Sequence, residues 1–192
     1  VVQKVDFGVY LADGMQEHPE EKVLLPGRQV PENTQEGDEL SVFIYRDSMD
    51  RLIATIHEPL LEIGQTAVLE VVDTGKIGAF LNWGLEKDLL LPFREQTTPV
   101  KKGDQCLVAL YEDKSHRLCA TMKVYHYLHM QSPYGIGDMV KGRVYELSKN
   151  FGVFIAVDDR YSALIPKSEA QGGYRVNDIL DLRVTQVKED GK

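Results

Sequence analysis

At 192 residues, 43% of them hydrophobic, the chain is long enough for one large domain or two to three small ones with true cores. Its apolar runs, such as Leu89-Leu90-Leu91, fall far short of the roughly 20 residues that cross a bilayer, no charged-then-apolar leader opens it, and its two cysteines lack C-x-x-C spacing, which excludes a disulfide framework. A net charge of −8 excludes a uniformly basic surface of the kind that neutralises phosphates.

Three sequence features recur in fixed order along the chain. In chain order they begin with Phe7-Gly8-Val9-Tyr10-Leu11, an apolar run with a glycine in second place. A longer acidic loop, Asp13 to Glu21, follows and includes His18-Pro19-Glu20-Glu21. Next come the apolar, proline-closed run Val23-Leu24-Leu25-Pro26 and a turn at Gly37-Asp38. The second copy has Ile77-Gly78-Ala79-Phe80-Leu81, Leu89-Leu90-Leu91-Pro92 and Gly103-Asp104. The third has Phe151-Gly152-Val153-Phe154-Ile155, Ala163-Leu164-Ile165-Pro166 and Asn177-Asp178. In every copy the turn starts 11 residues after the proline, a regularity that marks an internal repeat.

Within the second copy, residues 67–72, 77–81, 89–91, 106–111 and 118–124 are short β-rich runs separated by Gly, Asp, Lys and Pro. Five strands in a module of this size predict a closed or nearly closed barrel, which leaves no exposed sheet edge. The fold class is therefore expected to be all-β, three tandem five-stranded OB-type barrels over residues 1–62, 63–128 and 134–192. The recurring glycine suits a strongly bent strand, a requirement of the fold. The Tyr125 to Gly135 connector, rich in Tyr, His and Met, is expected to pack between the second and third barrels. Cys106 and Cys119 read as buried free thiols in neighbouring strands, a disulfide between them being the alternative.

The Phe-Gly-Val-Phe-Ile run, the buried strand ending at Pro166 and the turn before residues 182–187 resemble the S1 domain, an OB-fold RNA binder. The stretch Gly78 to Phe93 is similar to the conserved virulence factor B family of bacterial S1-domain proteins. That resemblance implies three S1-like modules followed by a winged helix. The chain is accordingly read as a fragment: it begins inside the first strand of the first module and stops before the closing strand of the third.

The resemblance also implies a binding surface. The aromatics flanking the glycine would form a platform on which unpaired bases stack. These are Phe7 and Tyr10 in the first copy and Phe151 and Phe154 in the third. The second copy keeps only Phe80, and Trp83 is the candidate for the missing ring. The family's histidine is replaced by Pro26, Pro92 and Pro166. Its Asp and basic residue in the last hairpin are matched by Asp47 with Arg51 and Asp113 with Arg117, with Asp190 and Lys192 the nearest equivalents in the third copy. Lys149 and Lys167 are candidate phosphate contacts.

Each of these has a purely structural alternative. An Asp and an Arg across a turn form a local ion pair; rings three apart on a strand alternate faces unless the glycine bends it, so either could be core; Trp83 could plug the barrel.

Charge divides unevenly. Residues 1–63 hold 5 Lys and Arg against 13 Asp and Glu, whereas residues 64–130 hold 8 of each and residues 131–192 hold 9 of each. Local basic faces thus belong to the second and third copies, through residues such as Lys87, Arg94, Lys101, Arg143 and Arg175. The first copy is the poorest RNA binder and a possible contact for a protein partner, or its acidic loop is simply solvated.

No Gly-x-Ser-x-Gly elbow, phosphate loop or Gly-x-Gly-x-x-Gly run is present, and His126-x-x-His129 lacks a neighbouring carboxylate or cysteine. No cofactor, metal or enzymatic activity is expected. The expected role is single-stranded RNA binding in post-transcriptional or virulence gene regulation, in the cytoplasm and without a membrane partner. The alternative is a protein-docking array of OB barrels.

Overall fold

The computed structural model describes residues 1–13, 22–47 and 49–191. The acidic loop expected beyond Asp13, with His18 to Glu21, and Lys192 lie outside the described residues. Described residues form fourteen β-strands and two short 3-10 turns, so the all-β reading stands. They fall into two compact units. One comprises Val1–Leu60 with Gly84–Lys87, the other Leu61–Trp83 with Asp88–Lys192.

The first unit carries β1 (Gln3–Val5), β2 (Gly8–Leu11), β3 (Val23–Pro26), β4 (Phe43–Arg46) and β5 (Leu52–Thr55) in the order β1-β2-β3-β5-β4. Alternate residues point inward as the pleat requires, and Val9, Leu11, Val23, Leu25 and Ala54 form its core. No β1–β4 pairing closes this sheet among the described residues. Residues Gly84–Lys87 belong here: the Lys87 ammonium donates to the carbonyls of Arg46 and Asp47 at 2.9 and 2.7 Å, and Glu86 pairs with Arg28.

The second unit holds two repeats. β6 (Thr66–Gly75), β7 (Gly78–Asn82), β8 (Leu89–Pro92), β9 (Gln105–Glu112) and β10 (Leu118–Thr121) close into a barrel in the order β10-β8-β7-β6-β9. One strand, β6, serves two partners because a bulge between Val71 and Asp73 re-aims it: its first half pairs with β9 and its second with β7. The last expected strand, 118–124, ends at Thr121, where the Thr121 hydroxyl accepts from the N–H of Lys123 and turns the chain away.

The third repeat has β11 (Met139–Ser148), β12 (Gly152–Val157), β13 (Tyr161–Pro166) and β14 (Ile179–Arg183) in the order β13-β12-β11-β14, with the same bulge between Val144 and Glu146. Among the described residues the second repeat closes by hydrogen bonding, while the third, expected to lack its closing strand, is a four-stranded curl.

The repeat extends to individual hydrogen bonds. At each of the two bulges one residue exchanges a pair of them with the turn, Val71 with Gly103 and Asp104 and Val144 with Asn177 and Asp178; in the first repeat Val1, ahead of β1, does the same with Gly37 and Asp38. Each turn Asp in turn accepts the N–H three residues back, from Gln35, Lys101 and Arg175, at 2.8 to 2.9 Å. This Asx-type closure is the physical reason for the recurring Gly-Asp and Asn-Asp pairs.

The connector between the second and third repeats is packed. Val124 and Leu128 join Leu107 and Ala109 of the closed barrel and Tyr145 and Ala156 of the next repeat in one buried cluster. His129 continues the third sheet as an isolated bridge to Tyr161.

Both cysteines are free and buried. Burial pushes each thiol up to about 11, so almost no thiolate exists at neutral pH. Ellman's reagent at pH 7.5 is expected to find no reactive thiol in the native protein and both in denaturant; rapid native labelling would show that these strands open.

Candidate nucleic-acid interface

Gly152 adopts φ +124°, a conformation open to glycine, and this twist solves the alternation problem. It brings Phe151, just before β12, and Phe154, within it, to one face with ring centroids 6.3 Å apart in an edge-to-face arrangement. The bend is in β12, and the bulge beside it sits on the partner strand β11. Phe151 is 64% exposed. Phe154 is half-buried and held by Tyr125 at 5.8 Å and Tyr145 at 5.9 Å, so one ring is presented and the other is anchored in the shared core.

Both rings line a groove of about 1610 Å³ within the second unit. Its walls come from the loop before β9, the connector, β11, β12 and the chain around Tyr174 and Lys188. Lys101, Lys123, Arg143, Arg175 and Lys188 line it against only Asp104 and Glu146. Arg143 is fixed by a two-pronged contact with Asp159, its Nε 2.6 Å and its Nη2 3.2 Å from the carboxylate. An open cleft with a ring pair on its floor and a cationic surplus on its walls can hold a polyanion whose units have flat faces.

The other sequence candidates are scattered. Lys149 and Lys167 flank Phe151: Lys149 is in the turn before it, and the Lys167 N–H donates to the Phe151 carbonyl at 3.0 Å. Phe7 and Tyr10 meet edge-to-face at 6.4 Å in the first unit, Phe7 being 60% exposed. Phe80 is half-buried beside exposed Ile77. Trp83 is a correction: at 2% exposure it is a core residue that presents no ring to a base.

The Asp-Arg candidates are occupied within their own turns. Asp47 Oδ1 accepts from the N–H groups of Met49 and Arg51, and its Oδ2 accepts from the Arg51 guanidinium at 2.8 and 3.0 Å. The Arg51 hydrogen bonds hold the Asp47 carboxyl below its ordinary value. In the second hairpin burial opposes ionisation of Asp113, yet the N–H groups of Arg117 and Ser115 keep that carboxyl low as well. Because both folded-state values lie below the unfolded one, the stabilisation is complete above the ordinary Asp range and is lost as pH falls through the folded values. Asp47→Ala is expected to cost about 1 kcal/mol at pH 7 and progressively less as the pH is lowered below the ordinary Asp range, read from urea melts across that range. A loss that does not change with pH would remove the carboxylate's charge from the turn's energetics.

Tyr125, Tyr174, Lys123 and Lys188 line the groove but are not among the sequence candidates. The aromatic composition of the connector is the one sequence signal that bears on Tyr125.

The S1 domain profile matches residues 1–57 and 63–123. The Bacillus subtilis (strain 168) uncharacterized protein YitL is 32% identical over 98% of this chain and 64% of its own length. Conserved virulence factor B of Staphylococcus haemolyticus is 25% identical over 81% of this chain and 55% of its own; the chain thus spans less than two thirds of either relative. A Streptococcus pneumoniae structure, described as a multidomain protein with nucleic acid binding domains, superimposes with a TM-score of 0.62 at 20% identity, covering 98% of this chain and 67% of that one, a likeness of fold. The chain belongs to the S1 domain family, among the relatives of conserved virulence factor B.

Proposed function

We propose that this chain binds single-stranded RNA, with the groove of the second unit as its main contact surface. The observation that carries this reading is the Phe151–Phe154 pair on the floor of a cleft lined by five Lys and Arg residues. Stacking on rings and charge contacts to phosphate together describe sequence-tolerant single-strand binding. The S1 family and the nucleic-acid-binding domains named for the pneumococcal neighbour support the same chemistry. A duplex hides its base faces, so an unpaired strand suits the exposed ring best. We read the chain as a binding module rather than an enzyme, acting in the cytoplasm in post-transcriptional control, with virulence regulation suggested by the relatives' names. No helix of the described residues is long and apolar enough to cross a membrane.

The test is titration of a fluorescent single-stranded RNA at two salt concentrations, with single-stranded DNA and duplex RNA alongside. Affinity is expected to fall with salt, the log–log slope being roughly −3 for about four phosphate contacts. Folded protein that binds no nucleic acid at low salt would transfer the role to protein docking, through the acidic first repeat.

A further inference from the structure

We infer that Phe93 is the base-stacking ring of the second repeat, and that the groove described above continues to it, so that one strand of nucleic acid spans two repeats. This rests on the nucleic-acid reading above and assigns a residue outside the expected aromatic positions.

Strand register carries the first step. The ladders end at Gly78 with Pro92 and at Gly152 with Pro166; one step beyond lie Ile77 and Phe93 in the second repeat and Phe151 and Lys167 in the third, where the Lys167 N–H donates to the Phe151 carbonyl at 3.0 Å. In the first unit the same extension sets Phe7 against Gly27, whose N–H donates to the Phe7 carbonyl at 2.8 Å. Directly opposed residues share a face of the sheet. Each repeat therefore has an outward pair at the same corner, and each pair contains one exposed phenylalanine. In the first and third repeats it precedes the glycine; in the second, that place holds Ile77, 60% exposed, and the ring stands across from it on Phe93, 59% exposed.

The ring is held out by a rigid support. Phe93 opens a 3-10 turn, Phe93–Glu95, whose Glu95 carboxylate accepts from the Thr121 hydroxyl at 2.8 Å and whose Glu95 carbonyl accepts from the Met122 N–H at 2.9 Å. An exposed aromatic on a braced turn needs little backbone ordering when a base stacks on it.

Charge identifies the ligand. Lys123, a wall of the groove, donates its ammonium to the Arg94 carbonyl, so the basic lining reaches the residue next to Phe93. Lys76, beside Ile77, and Arg94 are exposed. Glu95 lies 3.6 Å from Arg94 and 4.0 Å from Lys123, so with Lys76 three cations meet one carboxylate around the apolar pair, a balance that matches a polyanion carrying flat apolar bases rather than the apolar face of a protein.

The experiment compares labelled oligouridines of roughly 5 and roughly 12 nucleotides, within the span of one and of two OB barrels. Phe93→Ala is expected to weaken the longer oligomer about tenfold and to leave the shorter within about twofold of wild type. Phe93→Trp should retain affinity and gain emission that quenches on binding, while Phe93→Leu should behave as the alanine variant. Unchanged affinity of Phe93→Ala for both lengths, with wild type binding both, overturns this inference alone. Full affinity in Phe93→Leu overturns the stacking role, and failure of wild type to bind either oligomer overturns the RNA reading together with it.

Discussion

Gly78→Ala is expected to cost the closed barrel about 4 kcal/mol. Gly78 has φ +154°, and an added Cβ would lie 2.2 Å from the Leu91 carbonyl oxygen and 2.9 Å from both Leu91 C and Pro92 Cα. All three are backbone atoms of a hydrogen-bonded strand, which cannot rotate aside. Overpacking of about 1–3 kcal/mol adds to a backbone conformation that disfavours a side chain by about 1–3 kcal/mol. Gly103→Ala separates the two terms: its φ is +90° but nothing lies within 4 Å, so only the conformational cost of about 1 kcal/mol is expected. Urea melts followed by Trp83 read both, since Trp83 is the chain's single tryptophan and is buried. A loss below about 1 kcal/mol for Gly78→Ala would mean that the two strands part more easily than their register implies. Gly8 and Gly152 face the same obstruction, each with a carbonyl oxygen 2.1 Å from the added atom.

The Phe151→Ala, Phe154→Ala double variant is expected to weaken single-stranded RNA binding by a factor of about a hundred or more, from roughly 1–3 kcal/mol for each stacked base. Its two halves carry different risks. Phe154 packs on Tyr125 and Tyr145, and truncating a largely packed Phe costs about 3–5 kcal/mol of stability. Phe151 projects into solvent, where truncation shifts stability by about 0.5 kcal/mol or less. Phe151→Ala alone is thus the cleaner probe, with an expected loss of about tenfold and an unchanged melt. Binding unaffected by Phe151→Ala in folded protein would remove the exposed ring from the interface and leave the cationic walls to account for any affinity.

The repeat was legible because its anchors are backbone requirements. The glycine at the bend, the proline that ends a ladder strand for want of an N–H, and the Asp that closes the turn each answer a local constraint. Such constraints leave a mark at fixed spacing. The pairing of Phe151 with Phe154 was legible only through the family resemblance, because alternation alone separates them and the Gly152 dihedral decides the matter. Trp83 reads equally well as ring or plug in sequence, since a bulky aromatic just past a strand points inward or outward according to a turn that residue identity does not reveal. The groove itself was hidden: Lys101, Tyr125, Phe151 and Lys188 are far apart in the chain and meet through tertiary packing. The Asp47–Arg51 pair illustrates the converse case, in which a spacing suggestive of ligand contact is already used inside its own hairpin.

The cluster that joins Leu107, Ala109, Val124 and Leu128 to Tyr145 and Ala156 also bears on how the chain comes apart. Neither neighbour can melt without stripping the other of buried apolar surface, so the closed barrel and the four-stranded curl should lose structure in one cooperative step. Hydrogen exchange should find them as a single foldon, although sequence counts two repeats there.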